Sequence, residues 1–318
     1  MSTPSVAVVY LAWAPLGDGV VRRFVDSYLA HSAGLDHTLV VVLNGFEPGS
    51  GALDDVRVAL EGCAHETLFL DRPVRDLAAY RMAAEQLAPG RCCFLNSYST
   101  ILADDWLAKL DGALTPGVGI AGATGSWTSS RSSALYQLRV PGAYRGVFPD
   151  RAWHLRQSRR LPDDGSHASA SAFAGATSRP PLRYLRTSYS LGRSLALFRS
   201  FPASHVRTNA FVIRTETMRR LRFPPLRNKK RAWQLESGRG SITEQILSGG
   251  LEAVVVGRDG RCYRPSEWAD SDTLWQADQG ELLVADNQTE RYRLGDFELR
   301  TLLSKVAWGS KARPSQPS

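Results

Sequence analysis

RCCFLNSYST, residues 91–100, is the stretch on which the reading of this chain turns. Cys92 to Leu95 follow one another with no polar alternation, as in a strand buried on both faces. The run stops at small polar residues: Asn96, Ser97, Tyr98 and Ser99. No carboxylate follows until Asp104. Working outward, the first 125 residues alternate in type. VAVVYLAW (6–13), HTLVVVLNG (37–45), HETLFLD (65–71) and RCCFLN (91–96) read as apolar strands, and VGIAGA (118–123) as a shorter one. Between them, 18–31, 53–60, the stretch from Asp76 through Leu87, and 103–114 carry apolar residues at helical spacing. Asp76 is placed as the cap of its helix. Strands that are apolar on both faces, alternating with helices, predict an α/β fold: a mostly parallel sheet flanked by helices.

The chain has 318 residues, 43% hydrophobic and 22% charged, enough to bury a sizeable core. No apolar run reaches the roughly 18 residues that a bilayer span needs. The first apolar run lacks a basic n-region, so it reads as a strand and not as a secretory signal. Adjacent Cys92 and Cys93 inside a strand fit neither a disulfide framework nor metal-ligand spacing, and they point to a reducing, cytoplasmic compartment. The charge is uneven. Between Arg131 and Arg231 stand 21 Lys and Arg against four Asp and Glu, an excess of +17 within a chain of net charge +8, so the remainder is −9. That stretch is nearly all arginine, which binds phosphates and carboxylates bidentately.

Residues 126–205 break the alternation and read as an arginine-rich insertion. Its 183–200 portion is basic and amphipathic. Two readings stand for it: an arginine-rich surface helix, or a segment lying peripherally on a membrane. HVRTNAFVIR (205–214) resumes as a strand, then a helix through Leu221, a helix from Ser241 to Ser248, and a strand LEAVVVG (251–257). Residues 266–308, rich in Trp, Asp, Asn and Gln, read as an arm packing over the sheet, and 309–318 as a disordered tail. The expected division is therefore 1–125, 126–205, 206–265, 266–308 and 309–318.

In an open parallel sheet, ligands bind at the carboxyl ends of the strands. The residues there are Tyr10, Leu11 and Ala12, Asn44 and Gly45, Asp71, and Asn96 to Ser99. No G-x-G-x-x-G follows the first strand, no P-loop or G-x-S-x-G elbow is present, and the six histidines show no metal-ligand spacing.

The order of elements resembles a nucleotide-sugar glycosyltransferase of the GT-A fold, family 2-like. VAVVYLA is similar to that family's opening strand. HTLVVVLNGF is similar to its second strand, with Asn44-Gly45-Phe46 where Asp-Asp-Gly-Ser is usual. RDLAAYRMAAEQL (75–87) is similar to the helix after the third strand. CCFLNSYSTILADDWLAKL (92–110) is similar to the stretch that carries the Asp-x-Asp motif. FVIRTETMRRL (211–221) and ESGRGSITEQILSGGLEAVVV (236–256) are similar to the segment after the acceptor loop and to the Glu-Asp helix with its following strand. The D-x-x-A-Y and L-N-S elements also resemble the rhamnan-synthesis branch. The resemblance covers roughly residues 5–125 and 205–257.

The resemblance implies a donor site of Tyr10, Ala12, Asn44, Asp76, Arg81, Asn96, Ser97 and Tyr98. Arg81 would reach the phosphates, and Asp76 the base or ribose. Glu236, 13 residues before Gly249, would be the base that deprotonates the acceptor hydroxyl. Arg207, Asn209, Arg239 and Asp286 would contact the acceptor. Residues 96–99 stand where Asp-x-Asp should be. Neutral Asn and Ser oxygens are poor sole ligands for a Mn or Mg ion. So no cofactor is expected, with arginines or backbone N–H groups replacing the metal, or else the site is inactive. The implied partners are a nucleotide-sugar donor and a glycan or lipid-linked acceptor. The alternatives are a catalytically inactive nucleotide- or glycan-binding domain, and a nucleic-acid-binding protein using the basic middle segment. No nucleic-acid module is present, so no nucleic acid is expected as a partner.

Overall fold

The computed structural model describes residues 6–88, 90–139, 192–226 and 229–316. Its centre is an eight-stranded sheet. β1 is Val6–Trp13, β2 Thr38–Asn44, β3 Glu66–Leu70, β4 Arg91–Leu95, β6 Val118–Gly122, β9 Ala210–Arg214, β10 Glu252–Val256 and β11 Cys262–Tyr263. Four short strands pair outside this sheet in two ribbons: β5 (Thr100–Ile101) with β12 (Val284–Ala285), and β7 (Gly125–Ser126) with β8 (His205–Val206). The order in the main sheet is β11-β10-β6-β9-β4-β1-β2-β3. β1 pairs in parallel with β2 and β4, β2 with β3, and β10 with β6. β9 runs antiparallel between β4 and β6, and β11 antiparallel to β10. The expected mostly parallel α/β sheet is therefore present.

The pattern of side chains explains its burial. Alternate β1 residues enter opposite layers. Val6, Val8, Tyr10 and Ala12 pack with the Asp18–Ala30, Gly51–Ala59 and Trp106–Gly112 helices, whereas Ala7, Val9 and Leu11 pack with the Asp76–Gln86 and Ile242–Ser248 helices. Because both layers are covered, the strands are apolar throughout instead of alternating.

Three departures from the sequence reading matter. HVRTNAFVIR is not one strand: the chain leaves β8 after Val206, turns at 208–209 and re-enters as β9. That turn brings residues 207–209 to the carboxyl edge, because β9 begins where β4 ends (Leu95 opposite Ala210). Asp76 is the first residue of its helix and not its cap; Arg75 holds the cap position without a side-chain cap bond. The segment Lys229–Ser237, unassigned from sequence, is a helix ending at the edge of the site.

The 266–308 segment, read from sequence as a packing arm, contributes buried side chains and regular structure. Leu274, Leu282, Leu283 and Val284 are buried, and two further helices follow at Asn287–Arg293 and Phe297–Trp308. Buried Arg300 fixes this arm: its guanidinium donates to the carbonyls of Tyr292, Arg293, Gly295 and Gln316 and to Ser315 Oγ. Close packing also dictates small residues. A Cβ on Gly125 would come within 2.7 Å of the Trp268 ring. Residues 192–197 are helical and 198–200 are not; residues 183–191, the remainder of the stretch read as a helix, and most of the arginine-rich insertion lie outside the described residues. No described helix is long and apolar enough to cross a membrane.

Candidate active site

Residues 96–99 answer the question their composition raises. Asn96 N–H donates to the carbonyl of Asn209 (2.9 Å), which extends the β4–β9 pairing by one residue. Its Oδ1 accepts from Tyr98 N–H (3.0 Å) and Ser99 Oγ (3.2 Å), closing a turn on itself. Ser97 Oγ donates to the carbonyl of Leu11 (2.6 Å), and Ser99 Oγ also lies 3.1 Å from the carbonyl of Asn209. The polar residues thus satisfy the backbone where β4 stops short of β1. This turn does not fit a divalent ion. It offers no carboxylate, and the Asn96 oxygen and both serine hydroxyls are already engaged within the fold. Among the described residues, no three His, Cys, Asp or Glu side chains come together elsewhere.

Several expected donor contacts are corrected. Tyr10 is fully buried, stacked on Phe24 at 3.8 Å between ring centres, with its hydroxyl donating to the carbonyl of Ser97 (3.1 Å). Burial drives its phenol well above the ordinary range. Ala12 is buried in the same layer. β1 runs on to Trp13, so neither residue reaches the edge. Asn44 has no free arm: its amide donates to the Val74 carbonyl (2.7 Å), and its oxygen accepts from Val74 N–H (2.9 Å). It pins the chain between β3 and the next helix. Arg81 points away from the carboxyl edge. It donates to the carbonyl of Leu221 (2.8 Å), pairs with Glu85 (2.6 Å) and lies over the Phe223 ring. The Leu221 segment follows β9, whose end lies at the opposite, amino-terminal edge of the parallel strands.

Two expected acceptor contacts instead bind one another. Arg207 Nη2 meets Asp286 Oδ2 at 2.6 Å, with the carboxylate 1% exposed. Asp286 is also the N-cap of Asn287–Arg293: its Oδ1 accepts from Gln288 and Thr289 N–H, and Thr289 Oγ1 accepts from Asp286 N–H, a reciprocal capping box. Asn209 is buried, accepting at Oδ1 from Thr124 (2.7 Å). Arg207 Nη1 and Asn209 Nδ2 are left buried with no acceptor among the described residues. Such orphans are uncommon and mark a place where water or an anion would be welcome. Arg239 is exposed on the loop after the Lys229–Ser237 helix, and its backbone N–H bonds to Leu197.

What the fold does gather at the carboxyl edge are side chains from two helices, Lys229–Ser237 and Asp76–Gln86, that both contact Thr208. Glu236, half-buried in the last turn of Lys229–Ser237, accepts at Oε1 from Thr208 Oγ1 (3.1 Å) and Thr208 N–H (3.4 Å). It does not pair with Arg231 or Arg239. From the opposite helix, Tyr80 donates to the carbonyl of Thr208 (3.5 Å). Asp76, one turn before Tyr80, is exposed, yet enough protein surrounds it that desolvation pushes its carboxyl above the ordinary carboxylate range. The charge of Glu236 pushes the same way, while a backbone hydrogen bond, Arg75 and Lys229 oppose. Tyr98 is the one member of the 96–99 turn that senses Asp76: burial first, and then the charge of Asp76, raises its phenol. His205 completes the surroundings. Burial lowers its imidazole below the usual value, and Nδ1 bonds to the carbonyl of Ala203 (2.8 Å). Glu244 is not part of this group; it accepts from Gly240 N–H and approaches Arg199 at 3.7 Å.

Of the site residues expected from sequence, Asp76 lies within electrostatic range of both Glu236 and Tyr98. The fold adds Thr208, Tyr80 and His205, which sequence reasoning missed. Thr208 sat unremarked between two nominated residues, Arg207 and Asn209. A hydroxyl with no titration of its own gave no signal.

No family model matches the chain, and no curated protein is similar enough to match. Solved structures with partial likeness include the mannosyltransferase PcManGT from Pyrobaculum calidifontis in complex with GDP-Man and Mn2+. It shows 15% identity over 62% of this chain and 74% of that one, with a TM-score of 0.34. The galactosyltransferase LgtC, in complex with donor and acceptor sugar analogues, shows 10% identity over 79% of this chain and 73% of that one, with a TM-score of 0.38. The glucosyl-3-phosphoglycerate synthase from Mycobacterium tuberculosis, with Mn2+, UDP and phosphoglyceric acid, shows 14% identity over 67% of this chain, with a TM-score of 0.32. The chain spans 57% of that synthase's length. Likenesses this slight carry no argument about substrate or chemistry.

Proposed function

We propose that this protein is a GT-A-type glycosyltransferase, moving a sugar from a nucleoside-diphosphate donor to a hydroxyl of a glycan or lipid-linked acceptor by one displacement with inversion. The observation that carries the reading is Glu236. What supports it is that Glu236, singled out from the order and spacing of sequence elements, is hydrogen-bonded to Thr208 near the carboxyl edge and lies within electrostatic range of Asp76. That edge is where open α/β sheets bind ligands.

In this reading Glu236 takes the proton of the attacking hydroxyl. The acceptor oxygen forms a bond to the anomeric carbon as the bond from that carbon to the diphosphate oxygen breaks. Carboxylates beside the ring stabilise the oxocarbenium character of the transition state. Asp76 serves the donor's base or ribose hydroxyls. The degenerate Asp-x-Asp position, Asn96 to Ser99, gives the departing diphosphate no metal-bound countercharge. We assign no step to a divalent ion.

A thermal-shift panel with UDP, GDP, CMP and dTDP, each with manganese, magnesium or EDTA, tests the reading. A nucleotide at about 100-fold its dissociation constant adds ~2.7 kcal/mol of stability. The expected result is a shift with one nucleotide that persists in EDTA. No shift with any nucleotide removes the donor site. A shift abolished by EDTA contradicts the metal-free form of the reading.

A further inference from the structure

We propose that Thr208 is a positioning residue of the transfer site: by holding Oε1 of Glu236 with its hydroxyl and its backbone N–H, it leaves Oε2 as the oxygen that receives the acceptor's proton. This rests on Glu236 being the base. The geometry assigns the division of labour. Oε1 accepts from Thr208 Oγ1 at 3.1 Å and from Thr208 N at 3.4 Å. Both of these bonds end on Oε1, none reaches Oε2 among the described residues, and Glu236 is only partly buried.

Thr208 can do this because the chain on either side of it is tied down. Arg207 N–H bonds to the carbonyl of Thr124 (3.0 Å), and its guanidinium is paired with Asp286 (2.6 Å). The Asn209 carbonyl accepts from Asn96 N–H (2.9 Å) and Ser99 Oγ (3.1 Å), and its side chain accepts from Thr124 Oγ1 (2.7 Å). The carbonyl of Thr208 itself accepts from Tyr80 (3.5 Å). Three successive residues are thus anchored to β4, to the segment after β6, to the C-terminal arm and to the Asp76–Gln86 helix. A β-branched side chain adds rotamer restriction of its own. Glu236 sits on the last turn of a helix, where a free carboxylate would swing. A base must be held within hydrogen-bond reach of the proton it takes, and a group fixed in advance loses no reorganisation energy at the moment of reaction. The 96–99 turn adjoins this arrangement: the backbone N–H of Asn96 and the hydroxyl of Ser99 hold the carbonyl of Asn209, next to the residue that holds the base.

The test compares Thr208→Val, Thr208→Ser and Glu236→Gln in steady-state transfer from the nucleotide sugar that the thermal panel identifies. Nucleotide affinity is measured separately by calorimetry. Thr208→Val keeps the shape and removes the hydroxyl. It is expected to lower kcat on the order of 10-fold and to leave KM for the donor and nucleotide affinity unchanged. Thr208→Ser restores the hydroxyl and should recover most of the rate. Wild-type kcat in Thr208→Val would overturn the proposal, as would a serine variant no better than valine. Loss of nucleotide affinity in step with kcat would also overturn it, by showing that the residue supports the fold and not the base. An enzyme whose rate survives Glu236→Gln would remove the assignment of the base itself, a separate failure read from a separate variant.

Discussion

Two polar constellations occupy the same edge of the sheet and behave oppositely. At the end of β4, the Asn96 oxygen and the serine hydroxyls of 97 and 99 are spent on backbone and on one another. Across the edge, Glu236 has one oxygen bound by Thr208 and the other without a bond among the described residues, and desolvation, aided by the charge of Glu236, pushes the Asp76 carboxyl upward against Arg75 and Lys229. The first arrangement lowers the folded state's energy; the second tolerates a cost, as sites that must bind something do. Residue type alone does not separate them. What separates them is whether the polar atoms already have partners.

The sharpest way to break the contrast is Glu236→Gln. Loss of a positioned base costs about 10²–10⁴ in turnover, with the melting temperature and nucleotide response kept; measured release of nucleoside diphosphate checks this. Next comes Asp286→Ala. It strips a buried partner from Arg207 and a cap from Asn287–Arg293, so a loss of about 3–5 kcal/mol in urea unfolding is expected. An acceptor-binding role would instead leave stability near wild type and weaken acceptor use. Arg81→Ala should cost roughly 1–2 kcal/mol from its carbonyl contact and ring stacking, with the nucleotide-induced shift untouched.

The smallest effects are those of pH, and their signs differ. Asp76 has a native pKa raised above its unfolded value, so the folded state gives up stability as pH rises from the ordinary carboxylate pKa through the raised one. Asp76→Asn should therefore be more stable than wild type at neutral pH, with the gap closing in acid. His205 has a native pKa below its unfolded value. Its contribution is present above the ordinary histidine pKa of about 6.5 and is lost as pH falls below it. His205→Gln should flatten that part of the stability profile; chemical denaturation at a series of pH values reads both.

The strands and their helices were legible because VAVVYLAW, TLVVVLN and RCCFL are covered on both faces, and a chain buried on both sides has no room for polar alternation. The site was legible only in part. Glu236 and Asp76 carry charge, and their spacing marked them. Tyr10 and Ala12 misled because β1 extends beyond them, burying both before the edge is reached. Asp286 misled although its pattern, Asp286-Asn287-Gln288-Thr289, is that of a helix cap; the amide-rich, aromatic stretch around it drew attention to sugar chemistry instead. Arg81 and Asn44 serve neighbouring loops through carbonyl contacts that no local pattern encodes. Thr208 is invisible for the same reason, since its role exists only because β8 and β9 bring residue 208 against a helix that ends at 236–237.

The most direct test of this account is the rate of nucleoside-diphosphate release, in EDTA, by wild type, Asn96→Ala and Glu236→Gln, each corrected for the folded fraction. If the 96–99 turn is scaffold and Glu236 is the base, Asn96→Ala loses stability but keeps most of its turnover per folded molecule, while Glu236→Gln keeps its fold and loses turnover. A folded Asn96→Ala enzyme as dead as Glu236→Gln, or a Glu236→Gln enzyme as fast as wild type, would contradict it.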